Sequence, residues 1–599
     1  MKKVMIIKKE NIFPEWKAFK KINKSIWKII LNKIIKISKE ENLLIIADAE
    51  TKLELNLHGV LAKSFGDYIF EYTNTYKIAN DFAKKIIKNL SIGEKGFLGE
   101  EEFSYTLIDY FENLILLENI KKTENPKGVY FLDSKFGNFV NLIFNKDSKK
   151  IISIKGMQNF IERFVKNFEF AARFYDLPLI KRIEFVKTGN LLKEKKKKRI
   201  LILGFDELYY SRIENLVKEI IKQRREECIV LATNKDMQEK LRNKRINFVS
   251  FGDYLEKEDL GEVKKFSKEF TRKFNKKDFP KETFFYKKYD LSEIIKKDLL
   301  YFLKKRLPWI ALYERCYDNL YKKERIDYVV GMDDVIPVTR TAVVSGKKNR
   351  VKTLLFQNGV SEDPCGRGYI PLIADKIAVW GEETKRYLEN FGVADDRISI
   401  TGNMRLVKPK IEISKEELYK KLGILNETSL IIVATSEFGG FFGEKEKEQF
   451  LRACIETAKR IPEKTFILKI HPREKPTLHY SLLKEIDAKN VRIVYDLNIS
   501  DLINYSEGLI AIFSTTILDS MFLGKNSISV NLLNRPEIVP YTKYNSVVSV
   551  KNKKDLKKAI LSLKNKDLKK GIKNFLGAYC YKTDGNESKR ILEVLRKLK

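Results

Sequence analysis

The sequence predicts an α/β protein in which two doubly wound, Rossmann-like domains follow one another. From residue 199 onward, short apolar runs alternate with amphipathic segments of helical length. This alternation is typical of a parallel sheet covered by helices on both faces. It forms two series, separated by "KPKIEIS" at 408–414. We therefore expect two sheets with separate cores, since 599 residues exceed what one core usually organises.

The first series gives a predicted domain over 196–408. It begins after the lysine run at 193–198, which reads as a linker into a first strand. Strands and helices are predicted in alternation at about 199–205, 211–223, 228–234, 235–242 and 246–252. A charged helical stretch at about 262–323 follows, and the strands "IDYVVGMDD", "VKTLLFQNG", "KIAVWGE" and "ISITGN" complete the series.

The second series gives a predicted domain over 409–599. Its strands are predicted at 429–436, 465–472, 491–495, 508–513 and 526–532. Its helices are predicted at about 444–460, 478–487, 499–505 and 516–523. Because ligands of such sheets bind at the carboxyl ends of the strands, we expect a site where these strand ends gather.

The first 195 residues predict an accessory domain that is either α/β or α-rich. "NLLIIADAE" and "KKIISIKG" indicate strands, and "MQNFIERFVKNFEFAARFY" has apolar residues at helical spacing. No further assignment follows from these patterns.

Composition and charge limit the class of protein. With 43% hydrophobic and 12% aromatic residues the chain is expected to fold, and it has no run of about 18 apolar residues. The amino-terminal segment makes a poor signal peptide, so we expect a cytoplasmic protein. Peripheral contact with the inner face of the membrane stays open. The net charge of +35 fits either a compositional bias or an anionic partner. The lysines are too dispersed to favour nucleic acid.

Several common catalytic motifs are missing from the sequence. It has no GxxxxGK[ST], no GxGxxG after a first strand and no GxSxG. Its five cysteines are far apart and form no CxxC pair, so we expect no metal site. These absences disfavour a P-loop enzyme, a dehydrogenase, a serine hydrolase and a zinc protein.

Polar residues follow two strands of the second series. Lys469, His471 and Pro472 end the strand at 465–472, and Ser514, Thr515 and Thr516 open the helix after the strand at 508–513. Hydroxyls and backbone N–H groups at a helix start bind anions. The sequence therefore predicts a phosphate site here, with simple helix capping as the alternative.

Four sequence stretches resemble the GT-B glycosyltransferases of surface polysaccharide synthesis. They are "LLFQNGV", "LKIHPRE", "IFSTTILDSMFLGKNSISVNL" and "DGNESKRILEVL", within about 325–599. Similar enzymes include capsule sialic acid and Kdo transferases and CDP-glycerol glycerophosphotransferases. The resemblance implies a GT-B fold with a C-terminal helix. It also implies that the nucleotide donor binds His471, Pro472, Ser514, Thr515 and Thr516, with Asp519 at the ribose. The donor-side prediction also contains Lys469, from its position at the strand end, and Gly439 and Gly440, which lie at another strand end and could let the backbone approach the donor.

The acceptor side is predicted in the first series. Asp333, Asp334, Glu362 and Asp363 lie in strand-end loops and are the candidates for the catalytic base. Arg340 is expected to meet an acidic acceptor or to pair with an acid. The acceptor-side set also contains Gln357 and Asn358 of "FQNG", in which Asn358 stands where the resembling enzymes more often have histidine.

The resulting hypothesis is an inverting, metal-independent glycosyltransferase without a cofactor. It would transfer a sugar, preferably a CMP-linked acidic sugar, from a nucleotide donor to a glycan or lipid-linked acceptor. UDP-sugars are the next donors to consider. An enzyme like UDP-N-acetylglucosamine 2-epimerase, a CDP-glycerol glycerophosphotransferase, and a basic scaffold or nucleic-acid-binding protein also stay open as rival hypotheses.

Overall fold

The computed structural model gives the arrangement of most of the chain. The described residues are 3–8, 20–68, 74–91, 94–132, 135–145, 148–152, 192, 196–276, 279–359, 369–403, 411–424, 428–436, 444–472, 474, 476–537, 539–582 and 584–598. The helix predicted in "MQNFIERFVKNFEFAARFY" lies outside them. Within these residues, no helix is both long and apolar enough to cross a lipid bilayer.

The N-terminal region (residues 3–152) contains a first parallel sheet, so of the two predicted classes α/β describes it. The strand order is β3-β2-β1-β4-β5. Its elements are β1 (Lys3–Ile7), α1 (Lys20–Glu41), β2 (Leu44–Ala47), α2 (Ala49–Leu57), β3 (Ala62–Ser64), a 3-10 turn (Phe65–Tyr68), α3 (Thr75–Leu90), α4 (Glu94–Glu124), β4 (Gly128–Leu132), α5 (Lys135–Phe144) and β5 (Ser148–Ile152).

The second sheet has seven parallel strands among the described residues, in the order β14-β13-β12-β11-β6-β7-β8. The elements from residue 199 to 400 are β6 (Arg199–Ile202), α6 (Glu207–Gln223), β7 (Glu227–Leu231), α7 (Lys235–Asn243), β8 (Phe248–Val249), α8 (Lys257–Lys276), a hairpin of β9 (Phe285–Tyr286) and β10 (Tyr289–Asp290), α9 (Ser292–Tyr301), α10 (Leu307–Glu324), β11 (Tyr328–Gly331), α11 (Pro337–Lys348), β12 (Lys352–Phe356), β13 (Lys376–Val379), α12 (Glu382–Asn390) and β14 (Ile398–Ile400).

The third sheet has six described strands, in the order β17-β16-β15-β18-β19-β20. The remaining elements are α13 (Lys415–Leu422), β15 (Ser429–Ala434), α14 (Glu444–Lys459), β16 (Lys464–Lys469), α15 (Thr477–Ile486), β17 (Val491–Val494), α16 (Ile499–Asn504), β18 (Gly508–Ala511), α17 (Thr516–Phe522), β19 (Asn526–Val530), β20 (Val548–Val550), α18 (Leu556–Ser562), α19 (Lys569–Cys580) and α20 (Glu587–Arg596). β20 was not among the strands that the sequence pattern predicts.

The second and third sheets confirm the predicted fold class. In each, the chain starts in the middle, runs to one edge and then crosses to build the other half, which is the doubly wound order. The point of reversal lies between β6 and β11 in the second sheet and between β15 and β18 in the third. Ligands of doubly wound sheets bind outside the carboxyl ends of the strands at this point. The topology therefore predicts that ligands bind near the loops after β6, β11, β15 and β18.

The C-terminal helix joins the two Rossmann-like units. α20 follows the third sheet in sequence, yet its apolar residues Ile591, Leu592 and Leu595 belong to the core of the second sheet. Arg596 of α20 also forms an ion pair with Glu226 at 2.8 Å, beyond the end of α6. The predicted C-terminal helix thus returns to the preceding unit.

The N-terminal region packs against both of these units. Its core continues into residues 274–307, including Leu299 and Leu303. Its helix α4 contacts α10 and α11 of the second unit. The 3-10 turn Phe65–Tyr68 contacts α14, and α2 contacts α15, both in the third unit. The N-terminal region therefore bridges the two halves of the GT-B-like pair.

Candidate functional site

The nucleotide-side candidates lie at the carboxyl edge of the third sheet. β15 is hydrogen-bonded to β16 on one side and to β18 on the other, with Ala434 beside Lys469 and Val433 beside Ile510. Two strand spacings amount to about 10 Å. The loops after β16 and β18, which carry His471 and Ser514, consequently flank the end of β15.

The backbone at His471 is held from two sides. Its N–H lies 3.1 Å from the Thr435 hydroxyl oxygen and 3.1 Å from a carboxylate oxygen of Glu474. The Glu474 N–H in turn donates to the His471 carbonyl at 2.9 Å. The Thr435 hydroxyl donates to the same Glu474 carboxylate. This turn fixes where the half-buried His471 imidazole leaves the strand end.

Glu474 lies at the centre of a buried polar cluster. Its side chain is fully buried, and Lys447 of α14 forms an ion pair with it. His479 of α15 is also fully buried, with Nε2 3.9 Å from the Glu474 carboxylate. A buried carboxylate needs such partners because isolated charge is strongly disfavoured in the interior. This buried cluster therefore stabilises the His471 turn from the protein interior. Its members are Thr435, Lys447, Glu474 and His479.

The Ser514 to Thr516 segment opens α17, as the sequence predicts. The Thr516 N–H and hydroxyl both lie within hydrogen-bond distance of the Ser514 hydroxyl oxygen, at 3.3 and 2.9 Å. The buried Tyr541 hydroxyl donates to the Ser514 carbonyl at 3.0 Å. Thr515 is exposed, and Asp519 is half-buried in the first turn of α17. The hydroxyls thus stand beside the end of β15, and their role in phosphate binding stays a prediction.

Lys469 differs from its predicted placement. Its ammonium donates to the Tyr495 carbonyl beyond β17, on the side of β16 that faces away from β15 and β18. The Pro472 carbonyl accepts from the Tyr495 hydroxyl. Partial burial also lowers the pKa of Lys469. Lys469 and Pro472 therefore both contact Tyr495, and their role in nucleotide binding stays a prediction. Gly439 and Gly440 lie outside the described residues.

Asp333, at the carboxyl end of β11, has its carboxylate held by three donors. It accepts from the Val335 N–H at 3.2 Å, the Thr339 hydroxyl at 2.9 Å and the Tyr209 hydroxyl at 3.2 Å. The first two contacts shape the turn into α11. Asp333 is therefore primarily a turn residue, with Tyr209 as its contact from the loop after β6.

Asp334 is the more suitable acid or base. Its side chain is 2% exposed and accepts the Ile373 N–H at 3.1 Å. Burial raises the pKa of Asp334 to about 7, and the nearby Arg340 only partly opposes the shift. A carboxyl group with a pKa near neutrality can either take or give a proton at physiological pH. It lies at the reversal point between β6 and β11, where the topology places a ligand.

Arg340, which the sequence predicts on the acceptor side, connects two parts of the chain. Its Nε donates to the Asp334 carbonyl at 2.7 Å, and its Nη1 donates to the Phe97 carbonyl of α4 at 3.2 Å. The guanidinium also stacks 5.0 Å from the Phe97 ring centroid. Because it is buried and bound to these backbone oxygens, Arg340 fixes the Asp334 loop to the N-terminal region.

We expect Arg340→Met to lower the free energy of unfolding by about 2–4 kcal/mol, because the buried Asp334 carbonyl and the partly buried Phe97 carbonyl lose a charged donor. Urea denaturation followed by tryptophan fluorescence measures the change. Arg386→Met is a matched control: Arg386 is largely exposed and pairs with Glu383 within one helix, so its loss should cost less than about 1 kcal/mol. Equal effects of the two substitutions would contradict the bridging role.

Gln357 and Asn358 differ in their surroundings. The buried Gln357 amide accepts the Trp380 N–H at 2.7 Å and donates to the Gly359 carbonyl at 2.8 Å, so it organises the loop after β12. The Asn358 side chain accepts from Arg212 of α6 at 3.0 Å, and its N–H donates to the Tyr369 hydroxyl at 2.8 Å. Asn358 therefore belongs to the candidate site and Gln357 supports it. Glu362 and Asp363 lie outside the described residues.

Several contributors were missed from the sequence. Tyr209, Arg212 and Tyr369 gather with Asn358 and Asp333 at the carboxyl edge of the second sheet. Thr435, Lys447, Glu474 and His479 form the cluster below His471. Glu474 carries a detectable signal, since it follows His471 by three residues in a strand-end turn. The others come from distant segments with ordinary spacing.

The second and third sheets form two tandem Rossmann-like units, which is the arrangement expected of an α/β protein of the GT-B type. More narrowly, residues 316–596, somewhat under half of the chain, match the family described as UDP-N-acetylglucosamine 2-epimerase. No curated protein matches the chain.

Three solved structures to which this chain is similar have low sequence identity and TM-scores below 0.5. A putative UDP-N-acetylglucosamine 2-epimerase from Listeria monocytogenes is 13% identical, with 67% of this chain and 96% of that chain covered and a TM-score of 0.44. The UDP-GlcNAc 2-epimerase from Neisseria meningitidis, solved with UDP-GlcNAc, is 14% identical, with 67% and 100% covered and a TM-score of 0.44. A glycosyltransferase from Rickettsia africae is 13% identical, with 67% and 98% covered and a TM-score of 0.42.

Proposed function

We propose that this protein is a nucleotide-sugar enzyme that epimerises a sugar of the UDP-N-acetylglucosamine type at C2. The observation that carries the proposal is the family match over 316–596. This span contains the strand-end residues of both halves, including Asp333, Asp334, His471 and Ser514. The motifs in the sequence favour a transferase, whereas the family match supports an epimerase better.

The third-sheet edge supports binding of the nucleotide diphosphate. His471, Ser514, Thr515 and Thr516 supply an imidazole, three hydroxyls and the N–H groups at the start of α17. Such donors suit phosphate oxygens. The Glu474 cluster keeps the His471 turn in place without presenting its own buried negative charge to the phosphates. Asp519 is proposed to contact the ribose, as the resemblance implies.

The second-sheet edge supports proton transfer at the sugar. Epimerisation at C2 removes the C2 proton from one face and returns a proton to the other, so it consumes no oxidant or reductant. The reaction therefore needs groups that accept and donate a proton near neutral pH. Asp334 is proposed as one of them because burial raises its pKa to about 7. Tyr209, Arg212 and Asn358 are proposed to orient the sugar.

The direct test is incubation with UDP-N-acetylglucosamine in D₂O, followed by ¹H NMR. Conversion to the manno epimer with deuterium at C2 is the expected result. An unchanged sugar, together with transfer from CMP-linked acidic sugars to a glycan acceptor, would replace the epimerase by the transferase. Glycerophosphate transfer from CDP-glycerol would do so likewise. A salt-sensitive complex with an oligonucleotide and no nucleotide-sugar binding would indicate the basic scaffold.

His471→Ala is expected to weaken UDP binding roughly 10- to 100-fold, the effect of losing one or two hydrogen bonds to a charged group. Isothermal titration calorimetry measures the dissociation constant. His58→Ala is the matched control because His58 is exposed at the C-terminal end of α2 and should leave binding unchanged. Unaltered UDP affinity in His471→Ala would remove His471 from the nucleotide site.

A further inference from the structure

α14 begins with five consecutive charged residues, and the last three of them, Glu446, Lys447 and Glu448, span its first turn and the start of its second. Successive residues of an α-helix point about 100° apart around its axis. The three side chains therefore leave the turn in different directions. Each of them contacts a different part of the protein, so the position of this turn affects all three parts together.

Two of these side chains reach loops at the proposed nucleotide edge. Glu446 forms a buried ion pair with Arg535 at 2.8 Å. Arg535 lies in the loop after β19, where its N–H donates to the Asn531 side chain at 3.0 Å. Lys447 pairs with Glu474 below the His471 turn. The first turn of α14 thus holds the loops after β16 and β19.

The third side chain, Glu448, contacts the N-terminal region as well as Arg452 of its own helix, whose guanidinium lies 3.6 Å from the Glu448 carboxylate. The Ser64 hydroxyl, at the end of β3, donates to Glu448 at 3.0 Å. The Lys52 ammonium of α2 lies 3.8 Å from the other carboxylate oxygen of Glu448. Ser64 is buried, and the Glu448 side chain is only 13% exposed. Water therefore screens these contacts less than it screens a surface ion pair.

We propose that Ser64 and Lys52 are positioning residues for the nucleotide site and act through the first turn of α14. The inference rests on the proposed function, because it takes the third-sheet edge as the place where the nucleotide binds. When Glu448 is held, Lys447 and Glu446 are aligned with Glu474 and Arg535. Without Ser64 and Lys52, Glu448 keeps only its contact with Arg452 of the same helix, so this turn can shift and the His471 turn can move with it. The N-terminal region would then be a working part of the nucleotide site.

The test uses the full-length chain with Lys52→Met and Ser64→Ala combined. UDP is expected to bind two- to thirty-fold more weakly, the range for residues that act on a site through packed neighbours. Hydrogen exchange followed by mass spectrometry is expected to be faster in the peptide 464–472, whose His471 N–H the cluster holds. Lys52→Arg, with Ser64 intact, should retain parental affinity.

Lys135→Met provides the matched control. Lys135 also belongs to the N-terminal region, but its ion pair with Asp298 at 2.8 Å links α5 to α9 rather than to α14. It should leave both UDP affinity and exchange at 464–472 unchanged. Equal effects of Lys135→Met and the double variant would show general loosening and overturn the inference.

The two proposals fail in distinguishable ways. If the parent chain does not bind UDP, the proposed nucleotide site is wrong, while the exchange rate at 464–472 still decides whether the N-terminal region holds the His471 turn. If the parent binds UDP and the double variant shows parental affinity and exchange, the positioning role is wrong and the nucleotide site stands.

Discussion

Asp334→Asn is expected to reduce kcat of the proposed epimerisation by roughly two to four orders of magnitude, the usual contribution of a general acid or base. The asparagine oxygen can still accept the Ile373 N–H, so the loop should keep its shape. Steady-state kinetics with UDP-N-acetylglucosamine measure the loss. UDP affinity should remain close to that of the parent, because Asp334 lies on the second sheet.

The pH profile distinguishes the chemical role from a structural one. Since burial raises the pKa of Asp334 to about 7, a base at this position becomes active as pH rises through 7. The inflection should disappear in Asp334→Asn. The raised pKa also means that the folded protein holds this proton more tightly than the unfolded chain. Its contribution to stability is thus complete below about pH 4 and lost as pH rises through 7.

Asp333→Asn is the internal comparison. An asparagine can replace Asp333 as acceptor for the Val335 N–H and the Thr339 hydroxyl, so kcat should fall less than tenfold. Retained activity in Asp334→Asn would reject it as the catalytic group. Loss of activity in Glu362→Gln or Asp363→Asn would then assign the role to the loop after β12.

The fold was predictable because both halves are parallel sheets. Their strands are buried on both faces and appear as nearly continuous apolar runs, such as "SLIIVA" in β15 and "KTLLF" in β12. The N-terminal sheet was harder to predict from the sequence. Two helices, one of them the 31-residue α4, separate β3 from β4, and residues 274–307 complete its core from a distant part of the chain.

The sequence predicts at which sheet edges the candidate site lies, but it does not predict the directions in which the side chains point. Strand ends identify the loops around His471, Ser514 and Asp334, because parallel strands all end at the same edge. Side-chain direction is a tertiary property. Lys469 has a long flexible side chain that reaches the Tyr495 carbonyl, while Arg340 is drawn to a carbonyl of α4.

The buried ion pairs of α14 could not be predicted from the sequence, for a related reason. A charge run such as "GEKEKE" at the start of α14 usually marks a solvated helix face, and sequence alone gives no reason to bury Glu446 and Lys447. Burial of these residues follows only from their partners Arg535 and Glu474, which lie on other loops. The burial of charged residues that pair with distant parts of the chain therefore cannot be predicted from the local sequence pattern.

Glu474→Ala is expected to destabilise the protein by about 3–5 kcal/mol, the cost of leaving a buried charged partner without its counterion. Lys447 would lose its carboxylate, and Thr435 and the His471 N–H would lose their shared acceptor. Urea denaturation measures the stability change. Glu417→Gln is the control in the same half, because Glu417 pairs with Lys421 on an exposed helix face and should contribute less than about 1 kcal/mol.

Glu474→Gln tests whether the carboxylate positions His471 as well as stabilising the fold. Glutamine preserves the volume and one acceptor oxygen but removes the charge that Lys447 requires. We expect an intermediate loss of stability and, at temperatures where the variant is fully folded, a rise of at least tenfold in the dissociation constant for UDP. Loss of stability with parental UDP affinity would mean that the cluster supports the sheet alone. Loss of both would establish that the nucleotide site depends on the buried charge behind His471, because the Glu474 carboxylate is already occupied by Lys447, the Thr435 hydroxyl and the His471 N–H.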